Sequence, residues 1–193
     1  MPANAPVVIV LAAGRGSRFR ASGGVVNKLQ ADLNGKPVLE HVLAAVERAG
    51  LDVHVVRSAR GDGMGDSIAE GVRATAGAAG WLVLPGDLPL VQAHSLCRVA
   101  HALASHAVVV PVFGGNRGHP VGFARACFEE LAALSGEAGA ASVVQRYRAR
   151  GSALQLSVED AGILIDIDTC DDLQRLRRLL DPASVPASPG QRQ

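Results

Sequence analysis

Four cations, Arg20 among them, and four glycines crowd one short stretch of this chain. Arg15, Arg18 and Lys28 lie within "AAGRGSRFRASGGVVNK", together with Gly14, Gly16, Gly23 and Gly24. Glycine lets a backbone approach a ligand closely, and Arg and Lys neutralise phosphate charge. Close approach plus three cations suits a triphosphate better than a dinucleotide's pyrophosphate. A dinucleotide fingerprint needs a third glycine where Phe19 stands, and the Gly-Lys-Ser/Thr ending of a Walker A loop is missing. The competing reading is a plain turn whose cations are solvated.

Carboxylates recur where other apolar runs end. "WLVLPGDLP" supplies Asp87, and "GILIDIDT" supplies Asp166 and Asp168, which a strand would set on one face. Mg²⁺ takes one or two carboxylates with phosphate oxygens and water. Asp87 and Asp166, from distant strand ends, are therefore candidates to pinch one ion. Asp168 reads equally well as a helix cap, a role that Thr169 also suits. His119, in "GHP", lies in a loop and is the candidate functional histidine. His41, His94, His101 and His106 fall on helical patterns and read as surface residues. Cys97, Cys127 and Cys170 are scattered, odd in number and without a CxxC, which argues against a disulfide framework and for a reducing compartment.

The elements that must hold these residues alternate. "PVVIVLA", "DVHVV", "WLVLPGD", "AVVVPVF", the short "HPVGF", "ALQLSV" and "GILIDI" read as strands. Between them, "PVLEHVLAAVERAG", "GDSIAEGVRATAG", "QAHSLCRVAHALASH", "ARACFEELAALSG", "AASVVQRYRARG" and "DDLQRLRRLL" read as helices. Pro37 is expected in a first helical turn, and Asp66 or Ser67 as an N-cap. The order predicts an α/β fold with a mostly parallel sheet and right-handed crossovers. Hydrophobic residues make up 48% and aromatics 3%, so Val, Leu, Ile and Ala must build the core, as in strands covered by helices on both faces. Every loop after a strand's carboxyl end carries Gly, Asp, Arg, Lys or His, and the opposite ends are bland. Ligands of open parallel sheets sit at that end. A net charge of +1 excludes a global field for nucleic acid. No run reaches the ~18 apolar residues of a membrane span, and "MPANAP" lacks the basic start of a signal peptide. The expectation is a cytoplasmic protein with one domain over residues 1–181. Residues 182–193, rich in Pro, Ser and Ala, are expected to form a flexible tail.

Taken in order, "LAAGRGSRF" with Lys28, "GDSIAEG", "PGDLPLV", "GHPVGF", "GEAGA" and "DIDTCDDL" resemble the molybdenum cofactor cytidylyltransferase family of the MobA-like NTP transferase superfamily, over residues 7 to 180. The resemblance implies a three-layer, Rossmann-like, glycosyltransferase-A-type fold. It implies an Mg²⁺-dependent reaction in which the phosphate of molybdopterin attacks the α-phosphate of CTP and pyrophosphate leaves. By position, Leu11, Ala12, Ala13, Gly14, Gly16, Arg18 and Lys28 would hold the nucleotide, with Ala12 and Ala13 near the base and Ser67 at the nucleoside. Asp87 and Asp166 would bind Mg²⁺, and His119 and Pro120 would face the acceptor. Arg18, Lys28 and Asp87 would be catalytic. Cytidine-using members resemble "LAAG" and guanosine-using ones "LAGG", so Ala13 points to CTP. Departures are Phe19-Arg20 after Arg18, Glu137 and Ala141 where the family has Asp and Arg, and a β-α unit missing after "DVHVV", which shortens the sheet. Two alternatives stay open: transfer to another small phosphate, with GTP or a sugar phosphate, and a non-catalytic nucleotide or cofactor carrier serving a molybdoenzyme.

Overall fold

The computed structural model describes residues 5–14, 16–59, 61 and 63–181; Arg15 and the expected tail lie outside them. In chain order the elements are β1 (Val7–Leu11), α1 (Ser17–Ala21), β2 (Asp32–Leu33), β3 (Lys36–Pro37), α2 (Val38–Arg48), β4 (Asp52–Val56), α3 (Met64–Ala74) and β5 (Gly80–Pro85). Then come α4 (Ala93–Ala102), β6 (Val108–Phe113), β7 (Asn116–Arg117), β8 (Val121–Ala124), α5 (Phe128–Ala132), α6 (Ala141–Ala149), β9 (Ala153–Ser157) and α7 (Cys170–Leu180).

The main sheet runs β4-β1-β5-β8-β6-β9, with β7 folded back onto the end of β6. β1 pairs in parallel with β4 and β5, and β6 with β9, whereas β8 runs antiparallel to both of its neighbours. The sheet is thus mostly parallel, as expected. β4 forms its edge, and among the described residues no strand intervenes between β4 and α3, so the sheet is short on that side. Two-residue periodicity divides the core. Val8, Val10, Leu82 and Leu84 pack on one face with Val42, Leu96, Val99, Leu173 and Leu176 of α2, α4 and α7. Ile9, Trp81, Val83, Val108 and Phe123 pack on the other with Ile68, Val72, Leu131 and Val143 of α3, α5 and α6. Three layers result. Among the described residues no helix is long and apolar enough to cross a membrane.

Four local expectations are corrected. Pro37 is the N-cap of α2 rather than a residue of its first turn. Gly63, not Asp66 or Ser67, is the N-cap of α3; Asp66 sits in the first turn, where its carboxylate accepts from the Gly63 N–H (3.1 Å) and the Gly136 N–H (3.1 Å). "GILIDI" is not a strand. Its first residues form a 3₁₀ turn, Ala161–Leu164, because the Asp160 side chain accepts from the Gly162 N–H at 2.9 Å and Gly162 lies against the Leu90 carbonyl, where a Cβ has no room. Asp166 and Asp168 therefore do not share a strand face. Finally, Thr169 rather than Asp168 caps α7, in a reciprocal box with Asp172. The tight turn at Gly114 and Gly115, both with positive φ, creates β7, which periodicity had no length to reveal.

Asp160 is the most deeply buried acid, 2% exposed, and its carboxylate takes the Gln92 N–H (2.9 Å), the Ser95 hydroxyl (2.7 Å) and the Gly162 N–H. It joins the start of α4 to the segment leading to Asp166. Asp160→Ala strands three donors and is expected to cost about 3 kcal/mol. Urea unfolding monitored by circular dichroism checks this; a loss below about 1 kcal/mol would show that the junction is not held there.

Candidate active site

Main-chain hydrogen bonds bring distant segments to one end of the sheet. The Gly86 N–H donates to the Leu11 carbonyl (3.0 Å) and the Ala12 N–H to the Val56 carbonyl (2.8 Å), so the ends of β1, β4 and β5 stay level. The Ile167 N–H donates to the Asp87 carbonyl (3.1 Å), which carries Asp166 and Asp168 alongside Asp87. The His119 N–H donates to the Ile163 carbonyl (3.0 Å), closing the other side. Gly118 is required in this corner because a Cβ there would run into the Ile163 carbonyl. These ends surround a cavity of about 830 Å³, within the usual range for a small-molecule site.

Lys28 is the hub of the charged cluster. It opens a 3₁₀ turn that Asn27 caps, and its stem packs over Gly16, whose φ of 57° favours glycine. Its ammonium donates to Asp87 Oδ2 at 2.6 Å and to Asp168 Oδ1 at 3.2 Å. Arg18 donates to Asp168 Oδ2 at 2.8 Å. The start of α7 is further tied to the end of α1, as the Cys170 N–H donates to the Ser22 hydroxyl at 2.9 Å.

Each ionisable group reflects this crowding. Burial alone would lower the Lys28 ammonium, but the charges and hydrogen bonds of Asp87 and Asp168 outweigh it and raise its pKa. Burial would likewise raise Asp168, yet Lys28 and Arg18 hold it below the usual carboxylate range. Asp166 goes the other way: partial desolvation at the cavity wall raises it, and the neighbouring Asp168 and Asp87 charges add to that. Among the described residues no cation is paired with Asp166. Burial lowers His119, only partly offset by the Val83 main chain, Asp87 and Asp166, so its ring is neutral at pH 7. Its Nδ1 is buried without a hydrogen-bond partner among the described residues.

Of the residues expected at the site, Leu11, Ala13, Gly14, Lys28, Ser67, Asp87, His119 and Asp166 line the cavity, and so does Asp168. Ala12, Gly16, Arg18 and Pro120 do not. Gly16 and Arg18 act through Lys28 and Asp168; Pro120 is buried behind His119, to which it is joined by a cis peptide bond. The wall also includes Glu137, expected only as a departure from the family, and Arg57, Ser58, Ala59, Gly61 and Arg117, which the sequence did not single out. The signal was available for most of them: Arg57–Ala59 directly follow β4, and Arg117 follows β6. Among the described residues no group of three His, Cys, Asp or Glu side chains forms a ready-made metal cage. Two converging carboxylates with open positions match instead what Mg²⁺ or Mn²⁺ takes when phosphate oxygens and water complete its shell.

Because Asp166 is raised, the folded protein holds its proton to higher pH than the unfolded chain, and stability falls as pH climbs through that window. Asp166→Asn is expected to stabilise the fold at pH 7 by only about a few tenths of a kcal/mol for so exposed a group, with a slightly higher melting temperature and the gain fading below pH about 4. Melting curves from pH 3 to 8 check it; a lower melting temperature at pH 7 would contradict the crowding.

Residues 8–151 match the model of the MobA-like NTP transferase domain family. The chain is 28% identical over 204 residues to the purine catabolism protein PucB of Bacillus subtilis strain 168, covering 89% of this chain and 96% of PucB. It is 28% identical over 179 residues to the bifunctional protein GlmU of Xanthomonas euvesicatoria, covering 81% of this chain and 37% of GlmU, so it spans little more than a third of that relative. The crystal structure of Rv0371c from Mycobacterium tuberculosis H37Rv superposes with a TM-score of 0.73 and 26% identity, over 90% of this chain and 98% of that one. Rv0371c has also been crystallised with manganese.

Proposed function

The chain belongs to the MobA-like NTP transferase family and is a nucleotidyltransferase, and from that premise we propose that it transfers CMP from CTP to the phosphate of molybdopterin. The observation that carries the chemistry is the meeting of Asp87, Asp166, Asp168 and Lys28, from three parts of the chain, at the wall of one large cavity, with Arg18 bonded to Asp168 behind them. The chemistry is balanced simply. An acceptor phosphate oxygen attacks the α-phosphorus of the NTP, the bond from that phosphorus to its bridging oxygen breaks, and pyrophosphate leaves with the electron pair. No side-chain nucleophile is needed; positioning and charge neutralisation are the protein's work. Gly14 and Gly16 allow the backbone close to the phosphates. Lys28 and Arg18 offset charge on the leaving pyrophosphate. Asp87 and Asp166 would hold Mg²⁺ or Mn²⁺, both carboxylates standing at the wall of the same cavity. The ion supplies Lewis-acid stabilisation of charge developing on the phosphates. Rv0371c with manganese supports a divalent ion in this fold. Asp168 is the competing second ligand, because it and Asp87 already converge on one cation, the Lys28 ammonium.

The two halves of the cavity divide the substrates. Ala13, Gly14 and Ser67 stand on the β1–α3 side, where the nucleotide would lie. Arg117, Gly118 and His119 stand on the β6 side, where the acceptor would lie. Choice of CTP over GTP rests on Ala13. Choice of acceptor rests on the β6 side and on Glu137, which puts an acid on the wall. An acid is what the family has there too; it is Ala141, where the family has Arg, that favours the second reading, transfer to a different small phosphate.

Pyrophosphate release is to be measured with CTP, GTP, UTP and ATP, each with Mg²⁺ or Mn²⁺, against molybdopterin and sugar phosphates. Release with CTP and molybdopterin is expected; release confined to another pair would keep the class and reject the substrates. Binding without release in any pair would leave a carrier. Asp87→Ala is expected to lower kcat at least about a thousandfold with the fold intact, and near wild-type turnover would remove it from the metal site. Ala13→Gly is expected to move the kcat/KM ratio for GTP over CTP upward about tenfold, within what one small contact supplies. An unmoved ratio would exclude Ala13 from base selection.

A further inference from the structure

Lys28 stands where a divalent cation would bind. Its ammonium lies 2.6 Å from Asp87 Oδ2 and 3.2 Å from Asp168 Oδ1, with the Lys28 and Asp87 side chains only 13% and 16% exposed. A metal ion on the same carboxylates would meet that ammonium as a like charge at close range, and like charges repel more strongly in a partly dry site than in bulk water. The same lysine is the residue whose position beside the glycine loop suits it to a triphosphate. Two of its three N–H donors already go to Asp87 and Asp168, so fuller engagement of the phosphates asks it to give up a carboxylate. Its four-carbon stem, however, is flexible enough to change partners.

We infer that Lys28 is a built-in occupant of the metal site in the nucleotide-free protein, displaced by the divalent ion and drawn off by the nucleotide's phosphates. This rests on the metal-dependent reading given above. It makes metal and nucleotide mutually reinforcing: each removes an obstacle to the other, so their binding is positively coupled. Metal affinity in the absence of nucleotide is reduced by the fraction of molecules in which the ammonium has left. Asp168 serves as the holding partner, and its second oxygen is kept in place by Arg18. The free enzyme thus keeps its carboxylates neutralised without a metal.

The test needs no turnover. Mn²⁺ binding, without nucleotide, is measured by electron paramagnetic resonance for the wild type, Lys28→Met and Arg18→Met. Lys28→Met is expected to bind Mn²⁺ about tenfold tighter or more, although it removes a residue of the nucleotide site. Arg18→Met, which deletes a cation of the same cluster but leaves Lys28 on Asp87, is expected to gain much less. An affinity unchanged or weaker in Lys28→Met, or an equal gain in both variants, would overturn the inference. A second readout uses the folded wild type alone. Lys28 and Lys36 are the two lysines of the chain, so isotopically labelled lysine side chains give a simple nuclear magnetic resonance spectrum. Mg²⁺ is expected to shift the Lys28 ammonium signal and leave that of exposed Lys36 in place; an unmoved Lys28 signal would overturn the inference. Combining Lys28→Met with Asp87→Asn separates the two readings. Loss of the tight Mn²⁺ binding in the double variant would keep the metal at Asp87, whereas its retention would overturn that placement and the displacement by Lys28 with it.

Discussion

Everything at this site depends on one ammonium holding two carboxylates together. Lys28 satisfies Asp87 and Asp168 at once, and without a cation between them three acids at neighbouring loop ends would repel. The requirement reaches backward into the fold. Asp87 is fixed by the end of β5, Asp168 by the turn into α7, and Lys28 by a 3₁₀ turn after the glycine loop. These segments meet because the Ile167 N–H reaches the Asp87 carbonyl and the Gly86 N–H reaches that of Leu11. A displacement of about 1 Å in any of them would break a hydrogen bond at the hub, since such bonds weaken steeply with poor geometry.

The frame that resists such displacement is aliphatic. Val8, Ile9, Val10, Leu82 and Leu84 are fully buried between helices on the two faces of the sheet. Branched side chains with few rotamers pack at high density and hold strand ends firmly. Polar junctions then extend the frame to the loops. Asp160 ties α4 to the segment before Asp166, and Asp66 ties α3 to the Gly136 loop that presents Glu137. Glycine marks the places where main chains must touch: a Cβ on Gly65 would meet the Ser135 and Gly136 carbonyls, and on Gly118 the Ile163 carbonyl.

The strands that carry the site were legible because they are apolar runs that break abruptly into polar or glycine-rich loops. β1, β4, β5 and β6 announce themselves, and the rule that ligands gather beyond their carboxyl ends selected Lys28, Asp87 and His119 without coordinates. What stayed hidden is tertiary. Asp168 read as a cap because a carboxylate before a helix does suit that role, and nothing local tells that Thr169 takes it while Asp168 meets cations 140 and 150 residues away. "GILIDI" has the composition of a strand, but the side chain of Asp160, two residues before it, diverts it into a 3₁₀ turn. β7 is two residues long and leaves no periodic trace. Arg57 and Arg117 were in the right loops, yet an exposed arginine looks the same in sequence whether it faces solvent or a cavity.

The division between shared chemistry and particular substrate follows the same line. Neutralising a triphosphate and its metal asks for cations and carboxylates at fixed distances, and these come from the glycine loop, the end of β5 and the turn into α7. In the function proposed above, recognition of base and acceptor asks for shape and hydrogen bonding, and would fall to residues outside the hub. Ala13 takes no part in the hydrogen bonds of that cluster. Glu137, exposed on a loop that main-chain contacts to α3 and the Asp66 carboxylate hold, can change its charge without touching Lys28. The β6 side is held by the Gly118–Ile163 contact rather than by any charge of the cluster. A fold arranged this way keeps phosphate chemistry constant while its acceptor changes, because the two are stabilised by separate sets of contacts.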